Sequence, residues 1–287
     1  MKSIEKNNMQ TLETQIEGTY WDKEIKINTF PVMGNKNVVI NIHGTFWSMI
    51  WGNNKYLNFA EKLQSNKVSN VLLYESTRQN IPHDDSIADR YKQKQASFIW
   101  KTFWDELDDA RRVVQYCIEN SKNLYAVDSQ DLEITLNGNS LWGILAFYLA
   151  NEFPQIKNIS TVWTGLRIDI KDVPILDTFP ETWELLEKMH SFGGKFLMNY
   201  GTQDDVFTPE AFDDFYNQAW ASDKFIAELP GVDHTFWKKQ WEVSTQPFQD
   251  VFNNIVELIQ NWNFESAQCS AVKMEVKQSV ARAFHTK

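Results

Sequence analysis

A chain of 287 residues, 43% apolar and 23% charged, can bury a sizeable core, so a small disulfide-stapled scaffold is excluded. With 28 basic against 38 acidic side chains the net charge is −10, which argues against nucleic acid or an anionic membrane surface as the main partner. The longest nearly unbroken apolar run, residues 141–150, is well short of the ~18 residues a membrane span needs. The opening MKSIEKNNMQ has no apolar h-region, and the expectation is a cytoplasmic protein without a secretory signal. Cys117 and Cys269 are too few for a disulfide framework or a zinc cluster, and Cys117 falls in a helical apolar pattern that suits a buried thiol. The aromatic share, 14%, is high enough to line an apolar cavity as well as fill a core.

In chain order, residues 11–30 alternate apolar and polar positions around Gly18 and predict one or two strands. The β-branched run 38–42 predicts a buried strand that His43-Gly44 ends, 56–63 a helix, and 68–74 a second buried strand. A polar stretch, 78–90, reads as a surface excursion. From Trp100 the apolar positions Phe103, Trp104, Leu107, Ala110, Val114, Cys117 and Ile118 recur at three and four, which predicts a long amphipathic helix ended by Asn120. Strand and helix then alternate: strand 132–136, helix 141–151, strand 159–164, helix 181–189, strand 195–200, helix 209–221, strand 224–229, helix 248–262. Such alternation predicts an α/β fold, a mostly parallel central sheet with helices on both faces, because parallel strands need crossover connections. No repeat or linker divides the chain, so residues 1–263 are expected as a single domain. Within it, residues 75–99 are the segment available to cover a site. Residues 264–287, with Val272, Val276, Val280 and Phe284 four apart, form a tail that is disordered or an appended helix.

In a parallel sheet the chemistry is sought beyond the carboxyl ends of the strands. Four such ends carry His43-Gly44-Thr45-Phe46, Gly138-Asn139-Ser140-Leu141-Trp142-Gly143, Gly201-Thr202-Gln203-Asp204 and Gly231-Val232-Asp233-His234. A serine between strand and helix can sit on a sharp turn, which Gly138 would permit, beside unpaired N–H groups of the helix start. Its hydroxyl needs a base within ~3 Å, and that base needs a carboxylate to fix its tautomer. His234 and Asp204 would supply them. Read alone, Ser140 is an ordinary helix cap and Asp204 or its neighbour Asp205 an ordinary turn cap. Asp169 is a weaker candidate acid. His43 reads as shaping its loop, and His83-Asp84-Asp85 as solvated surface, so no metal is expected.

These residues resemble the α/β-hydrolase superfamily over roughly residues 38–262. Gly138 and Ser140 match its G-x-S-x-G elbow, Gly201 and Asp204 its G-x-x-D acid turn, and His234 its late histidine. One position departs from the pattern: Trp142 stands where the second elbow glycine falls, with Gly143 one residue later. The resemblance implies a serine hydrolase with Ser140, Asp204 and His234 as triad and no cofactor. The backbone N–H groups of Thr45 and Leu141 would form its oxyanion hole. Phe46, Trp47 and Trp142 are candidates for lining the substrate pocket, with Trp51 nearby, although each also suits core packing. The expected reaction is cleavage of a small-molecule carboxylic ester with a neutral hydrophobic acyl group. An amidase, peptidase, thioesterase or acyltransferase would use the same residues, and a non-catalytic binding protein could keep the shell with Trp142 filling the pocket.

Overall fold

Val38-Val39-Ile40 and Val71-Leu72-Leu73 place no polar side chain at the middle of their strands, and strands apolar on both faces must be covered on both. The computed structural model does this. It describes residues 2–6, 9–19, 23–45, 49, 51–77, 92, 98–166, 173–234, 237–238, 242–243 and 245–262. Outside them lie Phe46 and Trp47, Asp169, His83-Asp84-Asp85, most of the expected cover 75–99, and the tail 264–287.

One sheet holds nine strands: β1 (Lys2–Lys6), β2 (Met9–Glu17), β3 (Glu24–Phe30), β4 (Asn37–Ile42), β5 (Asn70–Glu75), β6 (Glu133–Asn139), β7 (Ile156–Val162), β8 (Lys195–Gly201) and β9 (Asp223–Leu229). Their order is β1-β2-β3-β5-β4-β6-β7-β8-β9. Pairing is parallel from β5 across to β9, while β1, β2 and β3 continue the sheet antiparallel at one edge. The expected architecture is present, and β1 is an additional strand that its sequence, with Ile4 its one apolar residue, did not announce.

The helices placed among the described residues are α1 (Trp51–Ser65), α2 (Phe103–Glu119), α3 (Ser121–Tyr125), α4 (Leu145–Glu152), α5 (Thr182–His190), α6 (Pro209–Gln218) and α7 (Thr245–Gln260). From β4 the chain crosses through α1 to β5 on one side, then passes through α2 to β6 on the other and steps onward to β9. Right-handed crossovers in opposite directions put helices on opposite faces. Accordingly α1 meets α7 through Phe59, edge-on to Phe248 and Phe252, while α2, α4, α5 and α6 pack successively against one another. The direction reverses beside β4, and that reversal opens a crevice at the carboxyl ends of β4 and β6.

Helix α2 illustrates the local logic. Thr102 caps it, accepting from the Asp105 N–H while the Asp105 carboxylate accepts from the Thr102 N–H, and Asn120 closes it by donating to the Tyr116 carbonyl. Phe103, Leu107, Ala110, Val113, Val114 and Cys117 are buried along its inner stripe. Trp104, expected on that stripe, instead lies at its margin, 45% exposed and edge-on to Tyr148. The first turn after β6 also differs from a plain α-helix: residues 140–144 form a 3₁₀ turn before α4 begins.

Candidate active site

Ser140 directly follows β6 with φ of 55°, in the left-handed region that a residue with a Cβ occupies only under constraint. The constraint is visible on both sides. A Cβ on Gly138 would lie 2.3 Å from the Gly143 Cα, and one on Gly143 would lie 2.2 Å from the Thr164 Oγ1. The two glycines therefore let the strand end and the helical turn touch. Thr164 Oγ1 completes the clamp by donating to the Ser140 carbonyl at 2.7 Å. Gly138 thus permits the turn, as expected, while Ser140 itself carries the positive φ, and on the helix side the close approach is made by Gly143, three residues after the serine.

Trp142 is correspondingly displaced from the pocket. It is wholly buried, stacked on Phe103 with centroids 6.3 Å apart and tilted against Phe179 at 5.4 Å. It lines neither cavity at the site. The cause is rotational: in a 3₁₀ turn two residues advance roughly 240°, so the side chain leaves the serine's face of the helix and enters the core.

Asp204 lies in the turn after β8 and His234 in the loop after β9, neighbouring strands that register Gly201 with Leu229. That pairing brings the two turns together. His234 Nε2 is 2.9 Å from Ser140 Oγ, and His234 Nδ1 is 2.8 Å from Asp204 Oδ2. A carboxylate only accepts, so Nδ1 carries the proton and Nε2 offers its lone pair to the serine hydroxyl. Asp204 Oδ1 accepts from the N–H groups of Val206 and Phe207, each at 2.8 Å, which fixes the carboxylate's direction. The Asp204 side chain is 1% exposed, whereas Asp205 faces solvent. The His234 ring also packs against Phe207 at 5.7 Å and edge-on to Trp163 at 6.5 Å.

Beside this trio, Ile42 of β4 pairs with Gly138 of β6, which brings His43-Gly44-Thr45 to the serine. His43 is buried and donates from Nδ1 to the Gly44 carbonyl at 3.1 Å. In a trans peptide the next N–H is antiparallel to that carbonyl, so the Thr45 N–H is directed away from His43. His43 makes no hydrogen bond to Ser140 and orients the loop. Beneath it, Asn41, Asn137 and Asn139 form a buried amide cluster, and Asn139 donates to the Ile42 carbonyl at 2.9 Å, tying β6 to β4 just below the site.

Ser140 lines one space, and its neighbour Leu141 lines another. A narrow crevice of about 10 Å³ is lined by Gly44, Lys55, Tyr56, Ser140, Trp163 and His234 among others. A cleft of about 890 Å³ opens from Leu141 and is walled by Leu166, Leu176, Phe179, Leu186 and Phe207, with Glu210 and Asp214 at its α6 edge. Thr164, Lys55 and the cleft walls beyond Leu141 were not singled out by sequence reasoning, and Gly143 was noted without a role. Only Gly143 carried a signal, as a glycine one position away from where the motif places it.

No protein-family profile and no curated protein sequence matches the chain. Its fold is nevertheless shared with solved hydrolases. The chain is similar to an esterase from Pyrococcus furiosus, with TM-score 0.59 and 15% identity over 87% of this chain and 89% of that one. It is similar also to a cold-adapted esterase from an Arctic intertidal metagenomic library, with TM-score 0.59 and 10% identity over 88% and 97%. A dienelactone hydrolase from Anabaena variabilis aligns with TM-score 0.58 and 14% identity over 86% and 96%. The fold is the α/β-hydrolase fold. Among the described residues, no helix is long and apolar enough to cross a membrane.

Proposed function

We propose that the protein is a serine hydrolase that cleaves small-molecule carboxylic esters with a neutral hydrophobic acyl group, through an acyl-enzyme on Ser140. The observation that carries this reading is the continuous relay from Ser140 Oγ to His234 Nε2 at 2.9 Å and from His234 Nδ1 to Asp204 at 2.8 Å. A serine hydroxyl is a weak nucleophile until a base accepts its proton, and the base is effective only when its tautomer is held.

In the proposed reaction Ser140 Oγ attacks the ester carbonyl as His234 Nε2 takes its proton, and Asp204 stabilises the resulting imidazolium. The oxyanion accepts from the N–H groups of Thr45 and Leu141, the latter in the first turn after the elbow. Preorganised donors of this kind contribute a few kcal/mol each to the transition state. His234 then protonates the departing alcohol. Water, deprotonated by His234, resolves the acyl-enzyme, and the proton returns to Ser140. The apolar walls of the 890 Å³ cleft, which begins at Leu141, support a hydrophobic acyl group, and they come from elements distant in sequence.

Turnover of p-nitrophenyl esters of graded acyl length, alongside short amides and aminoacyl anilides, tests the reading. Hydrolysis is expected for the esters, faster for medium acyl chains than for acetate, and much slower for the anilides. Preferential turnover of a charged peptide substrate would overturn the acyl assignment, and no turnover of any ester by folded protein would overturn the reaction class.

A further inference from the structure

Asn139, the residue before Ser140, stands where two strands part. Its backbone still registers with Val162 of β7, whereas the ladder between β4 and β6 ends one residue earlier, at Ile42 and Gly138. Asn139 is itself extended, with φ of −110° and ψ of 136°, and the next residue turns into the left-handed region. On the β4 side the Asn139 side chain continues where the ladder stops. Its amide nitrogen donates to the Ile42 carbonyl at 2.9 Å and to Asn41 Oδ1 at 3.1 Å, the last two residues of β4. A third acceptor, the Asn137 carbonyl, lies at 3.4 Å. The side chain is buried and lines the crevice shared by Gly44, Ser140 and His234.

We propose that Asn139 is a positioning residue that sets the distance between the nucleophile and the loop after β4. This inference rests on the serine hydrolase reading, in which that loop forms one side of the oxyanion hole, and Asn139 acts through the loop and the serine rather than on the substrate. The Ile42–His43 peptide is planar, so a donor fixed on the Ile42 carbonyl fixes the direction in which the chain leaves β4 towards Gly44 and Thr45. That donor and Ser140 belong to consecutive residues, so loop and nucleophile share one reference. The tetrahedral intermediate forms between them. Stabilising it requires donors at hydrogen-bond distance from where the charge develops, a stricter demand than binding the ground state makes. Asn137 supplies the contrast: it belongs to the same cluster and is 4% exposed against 6% for Asn139, but its side-chain amide donates to Asn41 and not to the Ile42 carbonyl.

The test compares N139A with N137A, which remove the same atoms from one buried cluster. On p-nitrophenyl pentanoate N139A is expected to lower kcat ~tenfold or more, with KM changed less than about threefold. Inhibition by butyl trifluoromethyl ketone should weaken by the factor that kcat/KM loses. Ser140 Oγ adds to that ketone's carbonyl carbon, its proton passes to His234 and the carbonyl oxygen becomes the anion, so the adduct demands the geometry of the transition state. N137A is expected to share the loss of melting temperature and to keep kcat within about threefold of wild type. N139L, which keeps the branched shape of the side chain and lacks its donor, should lose kcat as N139A does and serves where the alanine variant folds poorly. Equal kcat losses in N139A and N137A, or wild-type kcat in N139L, overturn the role of Asn139 and leave the hydrolase reading intact. Folded wild-type protein that neither hydrolyses the ester nor binds the ketone overturns both.

Discussion

Ser140 occupies a conformation that costs a non-glycine residue roughly 1–2 kcal/mol, and the cost is offset by surroundings that permit no alternative: the Gly138–Gly143 contact and the Thr164 hydroxyl on the Ser140 carbonyl. At this scale the choice between adjacent aspartates is decisive. Asp204 accepts from His234, Val206 and Phe207, whereas Asp205 faces solvent. Asp204→Asn is therefore expected to lower kcat by about 10⁴, as loss of a triad carboxylate does, while Asp205→Asn changes it less than threefold; steady-state kinetics on one ester decides. Equal losses would place the acid one residue later. Ser140, Asp204 and His234, the proposed triad, were legible because each follows a strand end and their order in the chain is informative. Gly143 was legible only as an anomaly. Its role depends on a 3₁₀ turn that shifts the contact by one position, and nothing in residues 140–144 distinguishes a 3₁₀ from an α start.

Among the elements, α2 does more than cover the sheet. Its Asp109 carboxylate is fully buried and accepts from the N–H of Thr19 and from the N–H and hydroxyl of Thr77, which ties the turn after β2 and the end of β5 to one helix. Neighbouring Asp108 accepts from Thr19, Arg111 and Arg112. Burial raises its pKa, but the bonds from Thr19, Arg112 and Arg111 outweigh burial and hold the carboxyl below its ordinary 3.8. A depressed folded value stabilises the protein above the unfolded pKa, and the benefit disappears as pH falls through the folded one. Asp108→Asn is thus expected to cost up to ~1 kcal/mol at neutral pH, with the gap to wild type closing below pH 3.8, read by urea melts across pH. A constant gap would assign the loss to packing. The same face of the sheet holds Trp142 between Phe103 and Phe179. Trp142→Ala should destabilise by ~3–5 kcal/mol, as large aromatic truncations in a core do, whereas an unchanged melting temperature with altered acyl preference would put its ring in the pocket. Helix α2 was readable because its apolar period and the stop at Asn120 agree. The tether through Asp108 and Asp109 was not, since Thr19 is about ninety residues away and Thr77 is 32.

Across the whole molecule, the alternation of short apolar strands with amphipathic helices carried the fold, because parallel strands buried on both faces read as continuous β-branched runs. The antiparallel edge was only half visible. Residues 11–30 alternate, but β1 is charged or polar at every position except Ile4 and does not announce a strand, and its place follows from pairing with β2. The proposed substrate space was the least legible feature. The cleft takes Leu141 from the elbow, Leu176 from a 3₁₀ turn, Leu186 from α5 and Phe207 from the acid turn, and no local pattern links such positions. The expectation of Phe46 and Trp47 as pocket residues lies outside the described residues, and Trp142 belongs to the core. What unites the molecule functionally is that four separate strand ends converge on one serine. Treatment of the folded protein with a fluorophosphonate probe, followed by mass analysis of the labelled peptide, addresses that convergence directly: a single adduct on Ser140, absent in Ser140→Ala and strongly slowed in His234→Ala, is expected. A folded protein that takes up no label, or takes it up on another residue with Ser140 unmodified, would contradict it.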